Sequence, residues 1–292
     1  MIEEELKAYK KAGKVANLAL LHGASLIKEG ESVAKILDEV ENFIIKNDCE
    51  VAFPAQISIN NIAAHQCSDD YEEIIPKGLI KLDVGAHYKG FIGDNAKTIA
   101  VGVDDSLIKA SDEALANALK IIKPGVKVKD IGKVIESTIT SFGFTPVKNL
   151  SGHGVDFFKV HTKPSIPNFE AEIEDTLVEN QVIAIEPFAS KGIGLVSAKG
   201  NATVFSLKDE KPVRSQITRQ ILNEIKTYKG LPFTSRWLNK KFGVGKTNFA
   251  LRELKQKNML EEYPALQDHD LVSQSEHTVS VKEKSIITTR DY

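Results

Sequence analysis

Apolar side chains recur every three to four positions over residues 4–28, where Ala12, Val15, Ala16, Ala19 and Leu20 form one stripe, so a long amphipathic helix is expected. After a break at Glu29-Gly30, the spacing of Val33, Ile36, Leu37, Val40, Phe43 and Ile44 predicts a second helix. Residues 51–59 then read as a strand. The design appears a second time. Ile27-Lys28-Glu29-Gly30 followed by Val33, Ile36 and Ile44 matches Ile122-Lys123-Pro124-Gly125 followed by Val128, Ile131 and Ile139, at a constant offset of 122 − 27 = 95. Two such halves imply an α+β fold with an internal pseudo-two-fold, strands central and helices outside. A coincidence between two common helix–turn–helix pairs is the alternative.

A third region departs from this pattern. Over residues 218–258 stand Arg219, Lys226, Lys229, Arg236, Lys240, Lys241, Lys246, Arg252, Lys255 and Lys257, opposed by Glu224 and Glu253, a balance of 10 − 2 = +8. Ile217-Ile221-Ile225, Phe233-Trp237-Leu238 and Phe249-Leu251-Leu254 mark three short helices, separated by Gly230 and by Gly243-Val244-Gly245. That order suggests a winged-helix-like unit, with residues 260–266 as its wing. Strand character returns over 276–281 and 285–289, so the basic unit is read as an insertion. The expected division is a first catalytic part over 1–206, the insertion over 207–269 and closing strands over 270–292.

The chemistry concentrates in residues 79–101. Two strand-like runs, Leu79-Ile80-Lys81-Leu82-Asp83-Val84-Gly85 and Phe91-Ile92-Gly93-Asp94-Asn95-Ala96-Lys97-Thr98, flank a hairpin turn at His87-Tyr88-Lys89-Gly90. With Tyr88-Lys89 as the loop, Asp83 faces Asp94 directly. Like charges so placed repel, and they need a cation or a shared proton between them. A slipped register would instead send one Asp to solvent. Glu186 closes the buried-strand run Val182-Ile183-Ala184-Ile185, His153 lies between Gly152 and Gly154, and Glu276 opens a strand with Thr278 and Ser280 on its face. Each alone could be a solvated strand end, a loop histidine or an exposed sheet face. Together, four carboxylates and one imidazole suit a pair of divalent ions such as Mn²⁺, Fe²⁺ or Co²⁺. A hydroxide held between two such ions is a nucleophile near neutral pH.

Bulk composition narrows the setting. The 292 residues are 42% hydrophobic and 27% charged, enough for a sizeable core, and the net charge of −2 argues against whole-chain affinity for nucleic acid or membrane. Cys49 and Cys67 form no CxxC pattern, so neither a disulfide framework nor a zinc knuckle is expected. An acidic N-terminus unlike a signal peptide, and no apolar run near the roughly 20 residues of a membrane span, favour a cytoplasmic protein.

The motifs resemble those of the type 2 methionine aminopeptidases of the pita-bread fold. The matching segments are Phe53-Pro54, Asn60-Asn61-Ile62-Ala63-Ala64-His65, Asp83-Val84-Gly85 with Asp94, Gly152-His153-Gly154, His161 with Ile166-Pro167-Asn168, Ile185-Glu186-Pro187-Phe188 and Glu276-His277-Thr278. They span nearly the whole chain, and the insertion is a type 2 feature. The resemblance implies removal of the initiator methionine from nascent proteins by a two-metal enzyme carrying Co, Mn, Fe or Zn. Asp83 would hold one metal, Asp94 and Glu276 would bridge, and His153 and Glu186 would complete the set of ligands to the second metal. Glu186 would also relay a proton. His161 would stabilise the oxyanion, and His65 would lie near the scissile amide. Phe53 would wall the methionine pocket. Gln66-Cys67-Ser68 replaces the family's frequent Tyr-Thr-Pro and leaves the outer pocket's shape open. A monomer is expected, with ribosomal RNA as a partner of the basic insert or, alternatively, a merely solvated lysine face. The rival readings are a proline-directed peptidase on the same fold and a non-catalytic scaffold that binds RNA or protein.

Overall fold

The helical stripes of the first half become α1 (Glu3–Leu26) and α2 (Val33–Lys46) in the computed structural model, which describes residues 1–290. Val33, Ile36, Leu37, Val40 and Ile44 are the buried face of α2. Each such side chain contributes about 1.5–3 kcal/mol when removed from water. They pack on a sheet of β1 (Glu50–Ile59), β3 (Gly78–Tyr88) and β4 (Phe91–Val101), with β2 (Ile62–Ala64) looping out after β1. The second half repeats the plan. Helices α3 (Ser106–Ile121) and α4 (Val128–Ser141) lead into β5 (Thr145–Pro146), β6 (Ser151–Asp156), β7 (Lys159–Pro167), β8 (Val182–Ile185) and β9 (Phe188–Ser190).

The duplication extends to individual hydrogen bonds. Helices α2 and α4 each have 14 residues and start 128 − 33 = 95 apart. Gly30 and Gly125, with φ of 87° and 85°, turn the chain identically into them, a backbone state that glycine adopts without strain. Gly30 N–H donates to Ile75 O at 2.9 Å as Gly125 N–H does to Leu177 O at 2.8 Å. Val33 N–H to Glu73 O and Val128 N–H to Asp175 O are both 2.9 Å. The α1–α2 core and the α3–α4 core are separate apolar clusters, one per half.

After β9 come β10 (Ser197–Leu207), α5 (Gln216–Thr227), β11 (Phe233–Thr234), α6 (Ser235–Phe242), α7 (Val244–Gln256) and β12 (Leu260–Gln267). The three helices share their own core, including Ile221, Ile225, Leu238, Leu254 and Met259. Phe233, expected in a helix, is in β11. The turn into α6 is made at Thr234, whose hydroxyl accepts from Arg236 N–H. The stretch expected as a wing is β12, which pairs along β10 and, at its far end, with β2 of the main body. The chain closes with β13 (Val272–Gln274), β14 (His277–Ser280) and β15 (Ile286–Ile287). Strand β14 joins β15, β8, β6 and β7 in a five-stranded sheet, and β13 pairs with β9.

The hairpin register differs from expectation. Tyr88 pairs with Phe91, so Lys89-Gly90 is the two-residue loop and Gly85, not Asp83, lies opposite Asp94. Lys89 and Gly90 have φ of 52° and 93°. A tight hairpin needs positive φ at both loop positions, and the glycine settles which pair supplies it. Moving the loop by one residue shifts each partner by two. Asp83 and Asp94 therefore keep one face of the sheet as diagonal neighbours, and neither is sent to solvent.

Candidate metal centre and active site

The sheets of the two halves meet over a cavity of about 220 Å³ that all the expected site residues line: Phe53, His65, Asp83, Asp94, His153, His161, Glu186 and Glu276. Each arrives from a different place. Asp83 and Asp94 come from the hairpin β3–β4, His153 from β6 and His161 from β7. Glu186 follows β8 directly and Glu276 precedes β14. Ligand atoms of Asp94, His153 and Glu276 lie within 4.8 Å of one another. His153 Nε2 is 3.4 Å from Glu186 Oε1 and 3.7 Å from Asp94 Oδ2.

The local chain makes this convergence possible. Gly85 has no side chain because the Phe53 ring occupies its space: a Cβ there would sit 2.1 Å from Phe53 Cε1. The ring is thereby held on the cavity wall beside the two aspartates. His65 follows β2 with φ of 65°, a left-handed state that histidine visits more readily than most residues and that tends to mark functional positions. Its N–H is held by Gln56 Oε1 at 2.9 Å. Gln66, Cys67 and Ser68 do not line the cavity. Cys67 instead faces β11, with Sγ 3.6 Å from Thr234 Oγ1.

Electrostatically, the cluster is unbalanced as it stands. Burial raises the pKa of Asp83 to about 7. Burial first, and then the neighbouring Asp83 charge, lifts Asp94 well above the usual range. Glu186 is raised by burial and then by Asp94 and Asp83. Glu276 is raised by burial and then by Asp94, Glu186 and Asp83. Among the described residues no lysine or arginine pairs with any of the four. Asp83 Oδ1 and Asp94 Oδ1 are buried without a hydrogen-bond partner. His153 is held down to about 3 by burial and then by the His161 charge. With Nδ1–H donated to Gly154 O at 3.1 Å, the neutral ring turns the Nε2 lone pair onto carboxylate oxygens. A lone pair aimed at carboxylates needs a proton or a metal cation between them, and a ring fixed through its other nitrogen is the usual support of a metal-binding histidine. The donor set therefore fits divalent metal. His161 reaches solvent at the cavity mouth, 4.4 Å ring to ring from His153, and desolvation holds its pKa below the ordinary value. Burial takes His65 down to about 4, with the His161 charge next.

A family model, metallopeptidase family M24, matches residues 7–219. A methionine aminopeptidase of Archaeoglobus fulgidus is 40% identical over 296 residues, covering 99% of this chain and 100% of that protein. The chain belongs to the methionine aminopeptidases of family M24. Its pita-bread architecture is that of a solved methionine aminopeptidase from Thermotoga maritima, with TM-score 0.74 and 23% identity, over 100% of this chain and 98% of that one. A prolidase from Pyrococcus furiosus has the fold as well, with TM-score 0.65 and 20% identity, but this chain covers only 65% of it.

Several residues of this M24 cavity escape sequence reasoning. Pro232, just before β11, and Tyr263 of β12 reach it, and Tyr263 packs edge-on against His65 at 5.8 Å. Asn149, Ser151 and Gln274 complete the polar wall. Gln274 Nε2 is 3.4 Å from Glu276 Oε2, and its place two residues before Glu276 on an extended chain was the one local signal available.

Proposed function

We propose that this chain is a type 2 methionine aminopeptidase that binds two divalent ions and releases the initiator methionine from nascent chains. One observation carries the reading. Four buried carboxylates and a neutral histidine converge on one cavity with no protein cation, in a chain 40% identical to a methionine aminopeptidase. Asp83 would hold one ion, Asp94 and Glu276 both, and His153 and Glu186 the other. Bound ions supply a polarised carbonyl and a water acidic enough to attack near neutral pH. With the ions bound Glu186 would be ionised, and as a general base it would take the proton from the attacking water and pass it to the leaving amine. His161 donates to the carbonyl oxygen as negative charge develops there. His65 orients the scissile amide, and Phe53 offers an aromatic face to the thioether. Type 2 character is supported by the three-helix segment inserted between β10 and β12.

We place that insertion at residues 207–269, between catalytic parts 1–206 and 270–292. Half of the ten bases over residues 218–258 pair with acids: Lys226 with Glu210, Lys241 with Glu224, Lys255 with Glu262, and Arg236 and Lys240 with Asp38. A contact with ribosomal RNA would rest on Lys246, Arg252 and Lys257, and its affinity would fall steeply with salt as phosphate counterions are released. Among the described residues no helix is long and apolar enough to cross a membrane; the setting proposed is that of a monomeric enzyme acting in the cytoplasm. The test is an assay of chelator-treated protein reloaded with Mn²⁺ or Co²⁺, using Met-Ala-Ser and Ala-Pro-Ser. Release of methionine alone is expected. Release of alanine alone favours the proline-directed reading, and no product at all favours the scaffold.

A further inference from the structure

The two halves meet along β4 on one side and β13–β14 on the other, and main-chain pairing there is incomplete. Residues approach in three antiparallel steps: Thr98 beside Gln274, Ala96 beside Glu276, and Asp94 beside Thr278. Main-chain pairing there amounts to one isolated antiparallel bridge, Lys97 with Ser275, next to which Glu276 N–H donates to Ala96 O at 3.0 Å. At each outer step a threonine hydroxyl ties the two main chains together through both an N–H and a C=O. Thr278 Oγ1 accepts from Asp94 N–H at 2.8 Å and donates to Asp94 O at 2.8 Å. Thr98 Oγ1 accepts from Gln274 N–H at 2.8 Å and donates to Gln274 O at 2.7 Å. One half thus clamps the other and is clamped in return.

The placement is selective. Asp94 and Glu276 are two of the three residues whose ligand atoms already cluster within 4.8 Å. They lie on opposite sides of the seam, one clamped directly and the other between the two clamps. Thr98 and Thr278 are buried, and each hydroxyl spends its one proton on a carbonyl and a lone pair on an N–H. Thr278 is braced from behind, since its N–H donates to Thr289 Oγ1 at 3.0 Å and its carbonyl accepts from Thr288 N–H at 2.9 Å. Valine has the same shape but cannot exchange these bonds, so the buried N–H and C=O of Asp94 would lose partners and its backbone would have to move.

We propose that Thr278 and Thr98 are positioning residues, a reciprocal pair of hydroxyl clamps across the seam that sets the separation of the Asp94 and Glu276 carboxylates for shared metal binding. The inference rests on the metal-centre reading above. It is tested by calorimetric titration of Mn²⁺ into chelator-treated full-length protein, with the visible absorption of the Co²⁺ form as a second readout. Thr278→Val is expected to weaken Mn²⁺ binding about 10–100-fold, the usual effect of removing a support of metal ligands, and to change the Co²⁺ band. Thr278→Ser keeps the hydroxyl and is expected to stay within about threefold of the parent, while Thr98→Val follows Thr278→Val with a smaller loss. In turnover, kcat falls with KM for Met-Ala-Ser little changed. Parent-like Mn²⁺ binding by folded Thr278→Val, or equal damage by Thr278→Ser, overturns the clamp. Should Thr278→Val fail to fold, parent-like binding by Thr98→Val overturns it in the same way. A parent protein that takes up no Mn²⁺ overturns the metal centre itself, and the clamp with it.

Discussion

Two groups of buried acids in this chain have opposite solutions to the same problem. Where α2 meets α6, Asp38 and Glu41 contact Arg236, whose side chain is only 1% exposed. Arg236 Nη2 is 2.6 Å from Glu41 Oε1, Trp237 Nε1 donates to Glu41 Oε2 at 2.9 Å, and Lys240 Nζ is 2.6 Å from Asp38 Oδ1. Burial raises the pKa of Glu41, but its next influence, the Arg236 charge, pulls it back. In the cavity, burial is again the first cause, yet the next influence on Asp94, Glu186 and Glu276 is another carboxylate pushing the same way. Acids that the chain neutralises itself act as mortar between segments. Acids left without a cation leave a place for one.

The contrast is sharpest where a variant touches only one cluster. The largest effect is expected for Glu186→Gln, which should lower kcat for Met-Ala-Ser by roughly 10²–10⁴-fold, the range for losing a general acid–base. Its melting temperature should change little. Arg236→Met is the opposite case. It strands a buried Glu41 and should cost about 3–5 kcal/mol in urea unfolding, while Mn²⁺ affinity of the folded fraction stays near the parent value. Next, Mn²⁺ at about a hundred times its Kd should stabilise the chelator-treated protein by about 2.7 kcal/mol, because only the folded state assembles the site. Arg236→Met should gain the same increment and remain below the parent, and a full rescue would mean that the clusters are not independent. The smallest effect is a difference in sign. In metal-free protein at pH 8, Asp94→Asn should raise stability by about 1 kcal/mol by relieving carboxylate repulsion. Glu41→Gln should lower it by about 1–3 kcal/mol by weakening the charged partner of Arg236. Equal signs in thermal melts would erase the distinction.

Much of the architecture was legible from the chain. The helices follow from apolar residues at i, i+3 and i+4. The repeat follows from an offset of 95, which recurs in the bounds of α2 and α4 and in the hydrogen bonds of their entry turns. The hairpin was legible too, but its loop was misjudged by one residue, although the demand for positive φ at both loop positions made Lys89-Gly90 the better pair. The grouping of Asp83, Asp94, His153, Glu186 and Glu276, which line one cavity, came from their ligand chemistry taken together, and their individual roles only from motif resemblance. Spacing alone left each of them an acceptable solvated residue.

By itself the sequence determined which faces are apolar, where the chain turns and that the unit occurs twice, because these depend on neighbours within a turn of helix or a step of strand. Only the tertiary structure decided that Tyr263 and Pro232 would reach into the cavity, that Arg236 would meet Glu41 across 195 residues of chain, and that Thr278 would hold Asp94 across 184. Charge and hydrogen bonding act over a few ångströms of space rather than along the chain. Which partner a buried carboxylate finds is therefore settled when the sheets of the two halves close on each other.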